Sequence, residues 1–334
     1  MQGEASTMPR KRILSGMRPT GRLHLGHLVG ALENWVKLQD EYECYFMVAD
    51  WHALIDMYDR PKEARGAVLG NVADWIACGI DPERSPIFVQ SEIPEHLELA
   101  WILACLSPLP WLERCPTYKD KEASVKGKDE INYAFLGYPV LQTSDIILYR
   151  ANAVPVGEDQ VPHIELAREL ARRFNGKYAE VFPEPQALLT PVSRLAGLDG
   201  QKKMSKSIGN TLELGEEAAA IKKKAQGMFT DPLRIKKTDL GHPDDCNVWH
   251  YYRAFKGDVA PRRHTECATA QIGCTDCKRE MGERLAEMLA PVREKRQALL
   301  ADPAKLEAIL RDGTERARKT AKETMRAVRE AMGF

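Results

Sequence analysis

Arg12-Ile13-Leu14-Ser15-Gly16-Met17-Arg18-Pro19-Thr20-Gly21-Arg22-Leu23-His24-Leu25-Gly26-His27-Leu28-Val29-Gly30-Ala31-Leu32 is the stretch that decides the fold. Ile13 and Leu14 suit a short buried strand, and Gly16, Pro19 and Gly21 punctuate a turn. From about Leu25 the pattern becomes helical. A strand, a Gly-rich turn and a helix in that order aim backbone N–H groups and a helix N-terminus at an anion. His24 and His27 are three apart and share one face of such a helix. Gly26 and Gly30, four apart, leave room for a flat ligand against the backbone. The spacing fits neither G-x-G-x-x-G nor the P-loop, which disfavours a dinucleotide enzyme or a P-loop NTPase.

Outward from this stretch, the strand-like runs Tyr45-Phe46-Met47-Val48 and Ile87-Phe88-Val89 alternate with helical patterns over 26–40, 62–78 and 95–105. That alternation predicts βαβ units and a parallel, Rossmann-like sheet, with ligands at the carboxyl ends of the strands. From about residue 211 the pattern is helical, over 218–226, 277–300 and 303–332, with no strand runs. The expectation is an α/β protein: a nucleotide-binding domain over 10–210, an all-helical domain over 211–310, and a last helix over 311–334 that folds back on the first domain.

A second stretch, about 175 residues on, reads Gly200-Gln201-Lys202-Lys203-Met204-Ser205-Lys206-Ser207-Ile208-Gly209. Three lysines in five residues between glycines make a cationic loop, which by itself is an ordinary surface feature. Paired with the first stretch it becomes specific. His24-Leu25-Gly26-His27 resembles the first signature of class I aminoacyl-tRNA synthetases, and Lys203-Met204-Ser205-Lys206-Ser207 matches the second, in the right order. Gly16-Met17-Arg18-Pro19-Thr20-Gly21, Ala49-Asp50-Trp51-His52-Ala53-Leu54, Gln90-Ser91-Glu92-Ile93-Pro94 and Val156-Gly157-Glu158-Asp159-Gln160 look like the tryptophanyl-tRNA synthetases, from about residue 10 to the C-terminus.

The resemblance implies tryptophan activation with ATP and transfer to tRNA(Trp). It implies ATP contacts from Arg18, Pro19, Thr20, Gly26, His27, Gly157, Glu158, Asp159, Leu195, Lys203, Met204, Ser205, Lys206 and Ser207, with Mg2+ on the phosphates. Lys203, Lys206, His24, His27 and Lys121 are the implied catalytic donors, Lys121 coming from the lysine-rich loop over 119–126. A cytoplasmic homodimer with a helical anticodon-recognising part is implied as well.

The segment Tyr138-Pro139-Val140-Leu141-Gln142-Thr143-Ser144-Asp145-Ile146-Ile147-Leu148-Tyr149 can be read without the family. As a helix it carries Tyr138, Gln142, Asp145 and Tyr149 as one polar stripe on an otherwise apolar element. Such a helix is mostly buried, and a buried Asp needs a partner; an indole N–H is a natural one. The resemblance gives Asp145 that role, with Tyr138, Gln142, Val154, Val156 and Gln160 lining the tryptophan pocket. His163 and Glu165 read as ordinary helix polar residues.

Composition adds bounds. The 334 residues are 44% hydrophobic and 29% charged, with 48 basic and 48 acidic side chains, so net charge does not announce a nucleic-acid partner. Local charge is uneven: Lys222, Lys223, Lys224, Arg234, Lys236 and Lys237 follow the lysine loop, a stripe that suits an RNA backbone, although solvated helix faces are the commoner source of such a stripe. Residues 1–12 lack the apolar core of a signal peptide, and no apolar run reaches membrane length. Eight cysteines without a secretion signal point to thiols or metal ligands, in the cytoplasm. Cys44, Cys78, Cys105 and Cys115 read as core cysteines. Cys246, Cys267, Cys274 and Cys277, spaced C-x20-C-x6-C-x2-C, read as a metal site. Spacing alone leaves Zn2+ and an iron–sulfur cluster open. A subset of the tryptophanyl enzymes carries a similar set holding [4Fe–4S], with a slightly longer first gap.

Three other readings remain at this stage. A tyrosyl-tRNA synthetase shares fold and signatures, but Val154-Pro155-Val156 and Gln90-Ser91-Glu92 favour tryptophan. A small-molecule nucleotidylyltransferase would not need the helical half, the cysteines or the lysine loop. A non-catalytic tRNA-binding paralogue would have lost signature lysines or histidines, and none is missing.

Overall fold

The computed structural model describes residues 10–124, 131–189, 195–200, 204–206, 208–255 and 259–334. Five parallel strands form one sheet: β1 (Arg12–Met17), β2 (Glu43–Val48), β3 (Ile87–Val89), β4 (Ala153–Val156) and β5 (Gln186–Leu189), in the order β3-β2-β1-β4-β5. The chain winds one way from β1 to β3 and the other from β4 to β5. The β1–β4 boundary is therefore the switch point, where a crevice opens beyond the carboxyl ends.

Alternation along β2 fixes both faces. Cys44, Phe46 and Val48 enter one core with Trp35, Trp75 and Leu285; Tyr45 and Met47 enter the other with Phe88, Tyr149 and Phe174. Both faces are apolar because helices cover both sides of a parallel sheet. Those helices are α1 (Leu25–His27), which continues through a π-helical turn (Leu28–Leu32) into α2 (Glu33–Glu41), then α3 (Asp50–Met57), α4 (Pro61–Ala77), α5 (Glu95–Leu106), α6 (Leu109–Glu113), α7 (Pro116–Ser124), α8 (Tyr133–Leu148) and α9 (Val161–Lys177).

The C-terminal part is α10 (Ala218–Gln226), α11 (Asn247–Ala254), α12 (Ala260–Ala268), α13 (Cys274–Leu300) and α14 (Pro303–Met332). α13 packs on α10 and on α4, and α14 lies along β3 and α5. α14 reaches β3 through Gly313, where a Cβ would meet the Ile87 carbonyl oxygen. Its Ala317, Ala321, Met325 and Val328 are buried in the core that holds Tyr149.

One sequence expectation needs correction here, and one strand gave no signal. Of the four cysteines read as core, Cys44 and Cys115 are buried, Cys78 is half-buried and Cys105 is exposed, because Cys105 falls on the outer face of α5. β5 carried no strand signal: it is a four-residue edge strand with both ends exposed, too short to show alternation. No helix among the described residues is long and apolar enough to cross a membrane.

Candidate active site

A cavity of about 620 Å³ opens at the switch point, between the ends of β1 and β4, with α3 and α8 as its walls. All six residues expected at tryptophan, Tyr138, Gln142, Asp145, Val154, Val156 and Gln160, line it, as do Arg18 and Gly157. The helical period of α8 brings Tyr138, Gln142 and Asp145 to one side; β4 contributes the two valines.

Asp145 is the electrostatic centre. Its side chain is 2% exposed. Gln90 Nε2 donates to Oδ1 at 2.8 Å, and His52 Nε2 lies 2.8 Å from Oδ2. His96 Nδ1 sits 2.7 Å from Oδ1, off the line of an ideal hydrogen bond. Burial pushes this carboxyl up, and the bonds from His52 and His96 outweigh it, holding the pKa at about 2. Asp145 is therefore an ionised acceptor inside a largely apolar cavity. The Tyr149 hydroxyl lies 2.8 Å from His96 Nε2; as donor there, it leaves the His96 proton on Nδ1, facing Asp145.

His52, Gln90 and His96 come from α3, the turn after β3, and α5. None stood out as a site residue in the sequence, because three donors from three separate elements leave no local period. His163 does more than an ordinary helix polar residue. It is buried, its Nε2 is 2.5 Å from the Tyr138 hydroxyl, and burial pulls its pKa down, so it stays neutral beside the cavity. Glu165 does behave as an exposed polar residue, paired with Arg168.

The first signature is built differently from two histidines on a shared helix face. His24 is the extended N-cap of α1 and its Nδ1 accepts from Gly26 N–H at 3.1 Å; His27 Nδ1 accepts from His24 N–H at 3.2 Å. The rings sit 4.0 Å apart. With each Nδ1 accepting, the neutral tautomer carries its proton on Nε2, so both rings present an N–H donor. Gly30 is open on its Cβ side, as a flat ligand would need, whereas Gly26 is filled by the His24 ring at 3.0 Å.

The second signature is docked onto the first. Leu25 N–H donates to the Leu212 carbonyl at 2.9 Å, and Leu214 N–H to the Leu23 carbonyl at 3.0 Å. Met204 is buried, Ser205 N–H donates to Asn210 Oδ1 at 2.8 Å, and Lys206 Nζ donates to the Thr20 carbonyl at 3.2 Å. Gly21 takes φ +106° beneath that ammonium. Lys203 and Ser207 lie outside the described residues. The site thus has two parts, an ionised buried acceptor in a switch-point cavity and two signature segments bonded to each other.

The comparisons with known proteins decide the family. Residues 8–290 match the model for class I tRNA synthetases of the tryptophan and tyrosine type. The chain is 49% identical to a tryptophan–tRNA ligase of Thermotoga maritima over 97% of its length and 99% of the relative's, and 42% identical to that of Ralstonia nicotianae over 97% and 98%. The crystal structure of tryptophanyl-tRNA synthetase from Campylobacter jejuni, complexed with ADP and tryptophan, superposes with a TM-score of 0.88 at 31% identity, over 97% of this chain and all of that one. The chain belongs to the class I tryptophanyl-tRNA synthetases.

Of the residues expected at ATP, Arg18 and Gly157 line the cavity and the others lie outside its lining or outside the described residues. Arg18 is held by Asp56 at 2.6 Å, Pro19 and Thr20 complete the turn beneath Lys206, and Gly157 leads into the 3-10 turn Glu158–Gln160, where Asp159 accepts from Gln160 Nε2 at 3.1 Å. Lys121, at the end of α7, lies 5.8 Å from the ring centre of Phe135, a cavity-lining residue. Leu195 is buried in the core with Leu198 and Met204.

Cys246, Cys267, Cys274 and Cys277 are gathered by α11, α12 and the first turn of α13. Burial pushes the Cys277 thiol up to about 12; Arg263 draws it down, and the other three cysteines add to the rise. Gly241 makes room for them: a Cβ there would stand 2.5 Å from Cys267 Sγ, which also has Arg234 Nη1 at 3.8 Å. As placed, no three His, Cys, Asp or Glu side chains among the described residues converge at ligand distance. The donor chemistry, four thiols with Arg234 and Arg263 beside them, is of the kind a metal centre uses, while the placement shown does not close one.

Proposed function

We propose that the cavity takes L-tryptophan with its indole N–H on Asp145, and that ATP lies across the mouth between the two signature segments. The observation that carries this is Asp145, an ionised, buried carboxylate in a cavity otherwise suited to an apolar ring. A site built to accept one N–H rejects analogues without it by large factors. Gln90 and His96 take up Oδ1 and His52 part of Oδ2, which leaves Oδ2 to receive the substrate.

The synthetase is an enzyme that uses ATP. In the first step the tryptophan carboxylate attacks the α-phosphate and pyrophosphate leaves. In the second, a ribose hydroxyl of the tRNA 3′ adenosine takes the aminoacyl group. Neither step needs a nucleophilic side chain; positioning and stabilisation of charge on the departing pyrophosphate carry the rate. His24 and His27 supply Nε2–H donors, and Lys206, Lys203 and Lys121 supply cations. Mg2+, when bound to the phosphates, shields their charge.

Three further assignments complete the reading. The four cysteines hold [4Fe–4S], or Zn2+, as structural support for the helical half, with no step of the chemistry routed through it. That half, over 211–310, meets the anticodon. A second copy of the chain covers the apolar patch of Leu97, Trp101 and Leu109 on α5 and α6, where Trp101 is 68% exposed, giving a homodimer that works in the cytoplasm.

The test is amino-acid-dependent ATP–pyrophosphate exchange with all twenty amino acids, on protein purified without oxygen. Exchange with tryptophan alone supports the reading. Exchange with tyrosine moves the pocket to the tyrosyl enzymes, and exchange with none overturns the enzyme.

A further inference from the structure

Asp74 is 1% exposed on α4, and the chemistry above gives it no task. It holds two partners. Its carboxylate accepts from the Leu23 backbone N–H and, through Oδ1, from Arg296 Nε at 2.5 Å. Leu23 directly precedes His24, and its carbonyl is the oxygen that Leu214 N–H binds. The peptide before the first signature is thus gripped on one side by Asp74 and on the other by the segment that follows the second signature.

Arg296 arrives from α13 and crosses that same segment. A Cβ on Gly215 would lie 2.9 Å from Arg296 Cδ and 3.0 Å from its Nε, so a side chain at position 215 would push the guanidinium from the path it now takes to Asp74. One turn back, Arg293 donates to the Glu216 carbonyl at 3.3 Å. The same helix begins at Cys274 and Cys277, about 30 Å away at 1.5 Å per residue. One helix therefore joins the cysteine set to the backbone between the two signatures.

We infer that Asp74 and Arg296 are a positioning pair that sets the alignment of the two signature segments, and thereby the placement of the His24 donor and the Lys206 cation on ATP. This rests on the ligase reading above. Core packing alone would be served by an apolar residue at position 74, since buried ion pairs are poor sources of net stability. The pair instead fixes a geometry, through directional bonds to one backbone N–H. Neither residue lines the cavity, so the pair reaches the site through the signature backbone and not through the amino-acid pocket.

The experiment is tryptophan-dependent ATP–pyrophosphate exchange on the full chain, comparing wild type with Asp74→Asn, Arg296→Lys and Gly215→Ala. The last displaces the guanidinium without altering either charge. Wild-type exchange with tryptophan tests the ligase reading on its own. Given that exchange, the expected result is a drop of tenfold or more in kcat/KM for ATP in all three variants, with KM for tryptophan within twofold of wild type. Asp74→Asn combined with Gly215→Ala should lose no more than the worse single variant. An unchanged kcat/KM for ATP in the variants that fold would overturn the inference. So would an equal loss in tryptophan affinity, which marks general loosening. If Asp74→Asn fails to fold, Arg296→Lys and Gly215→Ala decide the matter by the same readouts.

Discussion

Asp50 on α3 accepts both hydrogens that Ser91 offers, the backbone N–H at 2.9 Å on Oδ1 and the hydroxyl at 2.5 Å on Oδ2. The two belong to separate sequence segments, each one or two residues from a donor to Asp145: His52 follows Asp50, and Gln90 precedes Ser91. Their pairing therefore sets the distance between those two donors. Ser91→Ala removes one of the two bonds and should cost about 1 kcal/mol of stability. Because Gln90 is then less well held, KM for tryptophan should rise several-fold while KM for ATP stays put. Steady-state exchange kinetics check this, and equal changes in both constants would refute it.

Asp145→Asn is expected to act more strongly. The isostere keeps volume but replaces an ionised acceptor with a neutral amide whose NH2 faces donors. KM for tryptophan should rise by at least about tenfold, in keeping with the loss of a buried hydrogen bond to a charged group. The pH dependence follows from the depressed pKa. An acid whose folded pKa is about 2, below its ordinary value near 4, stabilises the fold above pH 4 and loses that contribution as pH falls toward 2. At neutral pH this is about 2 kcal/mol. Acid unfolding should set in at a higher midpoint stability for wild type than for Asp145→Asn, and the gap should close below pH 3.

The cysteine set yields a prediction independent of the active site. Protein purified without oxygen should carry four irons and four sulfides per chain, or one zinc. Cys277→Ser should lose it and lower Tm by about 5 °C or more, since a bound centre contributes folding free energy. Tryptophan-dependent exchange should survive better than tRNA charging, because the centre supports the helical half. Full metal retention in Cys277→Ser would refute the four-thiolate assignment.

Much of this was legible in the sequence, and the boundary has physical causes. β2 and β3 announced themselves because strands buried on both faces are continuous apolar runs, and β1 showed as Ile13 and Leu14 ahead of the Gly-rich turn. Tyr138, Gln142 and Asp145 were legible because one helix carries them at its own period. The donors to Asp145 were not: His52, Gln90 and His96 converge only after α3, β3 and α5 have packed. The signature histidines were found by their spacing but not by their geometry, since only the backbone shows that His24 is a cap and not a face. Asp74 gave no signal in the sequence, because nothing local relates it to Arg296, 222 positions later.

Asp74 also makes a prediction about stability, with the opposite sign to Asp145. Burial raises its carboxyl pKa to about 6, only partly offset by Arg296 and the Leu23 N–H. A group whose folded pKa lies above its unfolded value binds its proton more tightly when folded. Stability tied to it is therefore greatest below pH 4 and is lost as pH rises through 6, by about 3 kcal/mol at pH 7 and above. Asn cannot ionise, so Asp74→Asn lacks this loss. Measured from pH 5 to pH 8, the Tm of the variant should gain on wild type by several degrees, even as its exchange activity with ATP falls. A Tm difference that stays flat across that range would mean Asp74 titrates near its ordinary value, and that the junction with Arg296 carries no strain from the buried charge.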